Sequence, residues 1–360
     1  MRRLFIFLYS FIVLSYLIYG EQFTIAVIPD SQNYVNYVTN NSETSSYPIN
    51  QVDFFYNQMQ FIADNSVKSG GNIAFAVHVG DFVSHWGKSV FEWECADKGM
   101  RIIDDVVPFI AVPGNHDYDT VFSADGGNNN RIDGHESYTK YFGPESVHFK
   151  DKSWYGGSFN DGMNSFCIAN LGGKDFLFLG LEIEPSNTAL EWAKKVLDEH
   201  KSYATVLVTH EYLSYAFESK NPGKAALLNN AYRKGFDRNT PTQIWNKLIS
   251  KNQQIFLVLC GHNFRGDEGE NARTDINRAG YKVYTLLQDY QGRKSLFDER
   301  GYKGKKLNCG DGWLRFLDFD LEKKQIHVQT YSTEFKRYEK DANSDFTIKF
   351  DWDWEKRFSN

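Results

Sequence analysis

Pro113-Gly114-Asn115-His116-Asp117 closes a short apolar run at residues 109–112. It sets an amide, an imidazole and a carboxylate directly behind what reads as a buried strand. Working outward, the same arrangement recurs. The run at 23–28 is followed by Pro29-Asp30-Ser31-Gln32 and the run at 73–79 by Gly80-Asp81. The run at 205–209 leads into His210-Glu211, and the run at 255–260 into Gly261-His262-Asn263. Further strands are expected at 176–181 and 281–287, and residues 313–321 and 325–332 predict an antiparallel pair at a sheet edge. Helical periodicity falls at 52–63, 188–200 and 243–250. Strands alternating with helices predict an α/β fold, where chemistry collects at strand C-terminal ends. A single Asp or His there is ordinarily a turn former or cap. The information lies in the ordered series along one chain.

The 360 residues include 40 Lys and Arg against 46 Asp and Glu, a formal charge of −6, with 41% hydrophobic and 16% aromatic residues. These values exclude disordered, collagen-like and coiled-coil classes, and the charge balance provides no evident basic patch for nucleic acid. Arg2, Arg3, the apolar stretch 4–19 and Gly20 predict a signal peptide over residues 1–20. A membrane anchor is the alternative, although the stretch is short for a span, and no stable span is expected once the leader is removed. The expected location is extracellular or the endolysosomal lumen. Asn40-Asn41-Ser42 makes Asn40 a glycosylation acceptor. Cys95, Cys167, Cys260 and Cys309 allow disulfides in such a compartment, or, at Cys260, a buried thiol. The expected organisation is a domain over 21–335 with residues 336–360 packed on it. Residues 33–47 and 123–135 read as surface loops, and Trp154-Tyr155-Gly156-Gly157 as an aromatic loop.

The blocks resemble the calcineurin-like metallophosphoesterases, the superfamily that includes purple acid phosphatases. Its ordered motifs are Asp-x-His, Gly-Asp, Gly-Asn-His-Asp/Glu, a lone His and Gly-His-x-His. Asp30-Ser31-Gln32, Gln288-Asp289-Tyr290-Gln291 and Gly310-Asp311-Gly312-Trp313-Leu314-Arg315 look like a secreted or microbial branch in which Gln replaces the first His. The resemblance implies two packed mixed β-sheets flanked by helices, with one or two divalent metal ions (Mn, Fe, Zn or Mg) at the strand ends. Asp81, Asn115, His210 and His262 would hold one cation. Asp81 would bridge to another held by Asp30, with Gln32 as a weaker ligand. The implied activity is hydrolysis of a phosphoric ester of a small molecule or headgroup, monoester or diester. A hydroxide on the metals attacks phosphorus, and His116 assists the leaving oxygen. Asp117 would orient the His116 ring.

Two departures thin the Asp30 site: Gln32 stands where the family has His, and Phe264 where it has a second His. Three arrangements are compatible with this. The site is rebuilt, with His85 as a candidate ligand; or the cation is recruited with substrate; or one metal is held and the protein is slow or inactive. The last describes the alternative function, a catalytically weakened metal-binding secreted protein with a recognition role. Asp289, accepting from His262 or a metal-bound water, and Arg265, meeting a phosphate oxygen, are further candidates, each with a structural alternative. His78 is expected to be packed within its strand.

Overall fold

The computed structural model describes residues 21–36, 51–85, 88–124, 129–215, 227, 237–293 and 310–358. The expected leader, Asn40 and Cys309 lie outside the described residues. In chain order the strands are β1 (Gln22–Ile28), β2 (Ile73–His78), β3 (Phe109–Ala111), β4 (Thr120–Ala124), β5 (Asn129–Asp133), β6 (Tyr155–Phe159), β7 (Asn164–Leu171), β8 (Lys174–Leu181), β9 (Ala204–Thr209), β10 (Ile255–Cys260), β11 (Glu270–Ile276), β12 (Lys282–Gln288), β13 (Trp313–Asp320), β14 (Gln325–Ser332), β15 (Arg337–Tyr338) and β16 (Asp345–Lys349). The α-helices are α1 (Gln32–Val35), α2 (Val52–Asp64), α3 (Val90–Arg101), α4 (Glu136–Phe142), α5 (Asn187–Glu199) and α6 (Pro241–Lys247), before a last helical turn at Trp354–Arg357.

Two mixed sheets result, as expected. One runs β15-β14-β13-β1-β2-β3, with β16 also on β14; the other runs β11-β12-β10-β9-β8-β7-β6. β1, β2 and β3 are parallel neighbours, as are β8, β9, β10 and β12. Alternation along each strand sorts the side chains into layers. Ile25 and Val27 of β1 and Phe75 and Val77 of β2 meet Phe176, Phe178, Val206 and Phe256 of the other sheet. Phe75 stacks on Phe178 with centroids 3.6 Å apart, and Phe23 meets Phe176 edge-on at 5.4 Å. Such pairs add about 0.5–1.5 kcal/mol beyond area burial. The opposite faces take the helices. Ala26, Ile28 and Phe109 pack with Phe55, Met59, Ile62 and Trp93, and Leu179 and Leu207 pack with Leu190, Ala193 and Leu197 of α5. The capping box of Thr240 with Gln243, with Pro241 opening the helix, starts α6.

Several expectations are corrected. The loop expected at 123–135 is in part the β4–β5 ribbon, and the expected loop from residue 33 begins with the buried turn α1. Tyr155–Phe159, expected in part as an aromatic loop, is an edge strand that pairs with β7 through its backbone. Cys95 and Cys167 are buried free thiols and not bridged, and Cys260 is the buried thiol that its apolar run allowed. β15 and β16 pair with β14, and Arg357 donates to the carbonyls of Gln253, Ile255 and Lys282. The C-terminal segment is thus fastened where β10 and β12 begin, far along those strands from the ends that carry the ligand candidates. Among the described residues no helix is long and apolar enough to cross a membrane.

Candidate metal centre

Parallel strands of both sheets end on one side of the sandwich. Asp30 and Gln32 follow β1, Asp81 follows β2, and Asn115–Asp117 forms a 3₁₀ turn behind β3. From the other sheet come His210 after β9, His262 after β10 and Asp289–Gln291 after β12. Asp81 and His262 are held at φ 57° and 74°, left-handed backbone that costs about 1–3 kcal/mol each for a residue with a side chain. Glycines make the close approach possible. A Cβ on Gly114 would lie 2.1 Å from Asp81 Oδ1, and one on Gly261 would lie 2.1 Å from Asp30 Oδ1.

On the nitrogen-bearing side, ligand atoms of Asp81, His210 and His262 all lie within 4.8 Å of one another. His210 Nδ1 donates to the Val79 carbonyl at 2.8 Å. That contact turns Nε2 towards Asn115 Oδ1 and His262 Nδ1, both at 3.1 Å, and towards Asp81 Oδ1 at 3.3 Å. Burial opposes the His210 imidazolium, but Asp81 and Asp30 outweigh it and push the group up to about 10. Burial would raise Asp81, yet His210 and His116 hold it below the usual carboxylate range. His262 is lowered to about 3 by burial and by neighbouring His210, so its neutral Nδ1 accepts from His210. Its Nε2 faces Glu211 Oε1 across 3.9 Å. Burial, with Glu184 beside it, pushes Glu211 up to about 8.

The other side is built from oxygen and amide groups. Asp30 accepts from the His262 backbone N–H at 3.1 and 3.2 Å, and burial with the Asp289 charge raises its pKa well above the usual range. Gln291 donates from Nε2 to Asp289 Oδ2 at 3.0 Å and to Asp30 Oδ2 at 3.3 Å. Gln32 donates to Asp81 Oδ2 at 3.0 Å and to Gln291 Oε1 at 2.8 Å, while its own Oε1 is buried without a hydrogen-bond partner among the described residues. Burial pushes Asp289 up to about 7, against two hydrogen bonds from Gln291.

His116 lies beside the centre, its backbone N–H on Asp81 Oδ1 at 2.9 Å and its Nδ1 donating to the Ser84 carbonyl at 2.7 Å. The expected Asp117 contact is corrected here. Both Asp117 oxygens accept backbone amides, from Phe82 and Val83 on Oδ1 and Gly114 on Oδ2, so Asp117 fastens two ligand loops together while Ser84 orients the ring. His85 is turned to Glu92 at 2.7 Å, which also accepts from the Ser84 and His85 amides. The contact anchors the loop to α3, and His85 is not among the residues whose ligand atoms gather around Asp81. Arg265 sits on an exposed turn closed by Glu268. Asp289 accepts from Gln291, in place of the His262 contact that was one of its two expected roles. His78 is packed, stacked on Phe82 and bonded to Ser31. Sequence reasoning assigned no role to Gln291 or Glu211. Both stand beside residues it did single out, and that adjacency was the available signal. Ser84 acts through its carbonyl, which leaves no trace in residue type.

The donor set fits divalent cations. Asp81, Asn115, His210 and His262 converge their ligand atoms, and Gln32, bonded to Asp81 through Nε2, keeps a buried Oε1 with no hydrogen-bond partner among the described residues. The model of the calcineurin-like phosphoesterase family matches residues 23–266. The chain is also similar to Uncharacterized protein YvnB of Bacillus subtilis (strain 168), 27% identical over 305 residues. That alignment covers 84% of this chain and 20% of the relative, so the chain spans about a fifth of its length.

Proposed function

The chain belongs to the calcineurin-like phosphoesterases, and from that premise we propose that it hydrolyses a phosphoric ester of a small molecule or headgroup. The observation carrying this reading is the convergence of Asp81, Asn115, His210 and His262 with the His116 ring beside them. Divalent cations held there would supply Lewis acidity and a readily ionised water. The chain's own residues do the rest. The Ser84 carbonyl accepts from His116 Nδ1 and keeps that proton in place, so a proton delivered to the leaving oxygen travels through Nε2. The His116 amide on Asp81 Oδ1 ties the ring's position to that of a metal ligand. Export through a leader at residues 1–20, to the exterior or the endolysosomal lumen, with glycosylation at Asn40, is part of the same proposal.

His116→Ala is expected to lower turnover of an activated aryl phosphate by about 10²–10⁴-fold with metal content unchanged. Asn115→Ala should lower both. Wild-type rates in the two variants would overturn the reading. Phe264 in place of a ligand favours the second reading, a recognition protein with little turnover; fully metallated wild type that leaves mono- and diesters intact would select it.

A further inference from the structure

We propose that the cation site beside Asp30 is completed by Asp289, positioned by Gln291, with the Gln32 carbonyl oxygen alongside. It is an all-oxygen site that takes a hard divalent cation such as Mg²⁺ or Mn²⁺. The proposal rests on the phosphoesterase reading only for the presence of the neighbouring nitrogen-bearing site.

Charge is the first argument. Asp30, Asp81 and Asp289 are each only 1% exposed, and the carboxylates acting on Asp30 include both of the others. Their side-chain partners on this side are the neutral amides of Gln32 and Gln291. Ionised carboxylates taken out of water require opposite charge; the His210 imidazolium, 3.3 Å from Asp81, offsets one of the three, and among the described residues no arginine or lysine is bonded to them. The second argument is the stranded oxygen of Gln32. The amide is 2% exposed and rests on Asp81 Oδ2, and its Oε1 has no hydrogen-bond partner among the described residues. A half-turn of that amide presents the oxygen to the carboxylates, an arrangement that only a cation between them would favour.

The third argument explains how the site survives the loss of imidazole. Phe264, in the family's histidine position, packs on the turn that bears Asp289 and Gln291. A Cβ on Gly292 would lie 2.4 Å from its ring, and one on Gly269 would lie 3.2 Å from its Cβ. The Asp289 amide is clamped to the Gly269 carbonyl at 2.7 Å, and Gln291 Nε2 bonds both Asp30 and Asp289. Phe264 thus supports a replacement ligand instead of being one. Carboxylate and amide oxygens suit Mg²⁺ and Mn²⁺, whereas the Asp81, Asn115, His210 and His262 set suits Zn²⁺ and Fe²⁺ as well. The two sites should therefore differ in which ion they accept.

The test is metal binding to chelator-stripped full-length protein without substrate, by equilibrium dialysis with elemental mass spectrometry and by the electron paramagnetic resonance of Mn²⁺. Wild type should bind two Mn²⁺ with a spin-coupled signal, and limiting Zn²⁺ should displace only one. Asp289→Ala should bind one Mn²⁺ and lose the coupling. The near-isosteric Asp289→Asn, with its melting curve as a folding check, should weaken the second Mn²⁺ at least tenfold and leave Zn²⁺ affinity unchanged. Two Mn²⁺ at wild-type affinity in both variants, or a single ion in wild type for either metal, would overturn the proposal. Two ions without hydrolysis would sink the phosphoesterase reading alone; hydrolysis with one ion would sink this one alone.

Discussion

Two buried clusters of charge lie on either side of one short segment, Asp289-Tyr290-Gln291, and they are neutralised in opposite ways. Tyr290 faces Glu270, its hydroxyl donating to Oε1 at 2.8 Å. Glu270 is also met by Arg315, by Arg293 at 2.8 Å, by Thr330 at 2.8 Å and by Ser344 at 2.7 Å. Every lone pair there has a partner from the chain, and the cluster ties β11 of one sheet to β13 and β14 of the other. Asp289 and Gln291 face the opposite way, into the group of Asp30 and Asp81, where the partners are side-chain amides and the imidazolium of His210. A buried carboxylate with two arginines is a structural joint. One left with amides has a place for an ion from solution. Proximity of candidate ligands alone does not mark a metal site, since Glu270, Glu339 and Asp341 bring ligand atoms within 4.8 Å of one another just as Asp81, His210 and His262 do.

The contrast can be broken most severely at Glu270. Glu270→Ala strands Arg315 and should cost about 3–5 kcal/mol in urea unfolding, equally with and without chelator. A cost that vanished on chelation would make Glu270 a metal ligand instead. The opposite signature is expected at the ion-seeking cluster. Adding Mn²⁺ at about 100 times its dissociation constant should stabilise stripped protein by about 2.7 kcal/mol, and His210→Ala should remove most of that gain.

The smallest effect is in pH. Burial opposes the Glu270 carboxylate, but Arg315 and Arg293 bring it down to about 2 in the fold. Its contribution is therefore complete well above the ordinary glutamate value of about 4.5 and is lost as pH falls through about 2. By pH 4 the loss should be about 0.8 kcal/mol, measured as the difference between wild type and Glu270→Gln. A difference that instead grew towards acid would mean the arginines do not hold the carboxylate ionised.

The part of this contrast legible in sequence was the ligand series, because each ligand sits at the end of a continuous apolar strand such as 255–260. The sheets were legible for the same reason. β11, Glu-Asn-Ala-Arg-Thr-Asp-Ile, was not, since an edge strand held by backbone pairing to β12 needs no apolar run. α3 was missed because Glu92 interrupts the hydrophobic stripe of Trp93, Cys95, Ala96 and Met100, and only the fold shows Glu92 buried against the 84–85 loop. The partner of a buried carboxylate is likewise a long-range matter. Arg315 stands 45 positions from Glu270, and Gln291 stands 261 from Asp30.

Gly114 and Gly261 bear on all of this through an absent atom. Each leaves bare the spot where a side chain would begin, and a carboxylate oxygen rests against it. Alanine at either position keeps every donor, every charge and every ligand residue of the centre, yet drives Asp81 or Asp30 out of place. An inert twin of this protein, identical in composition to within one methyl group, is therefore already drawn in its backbone.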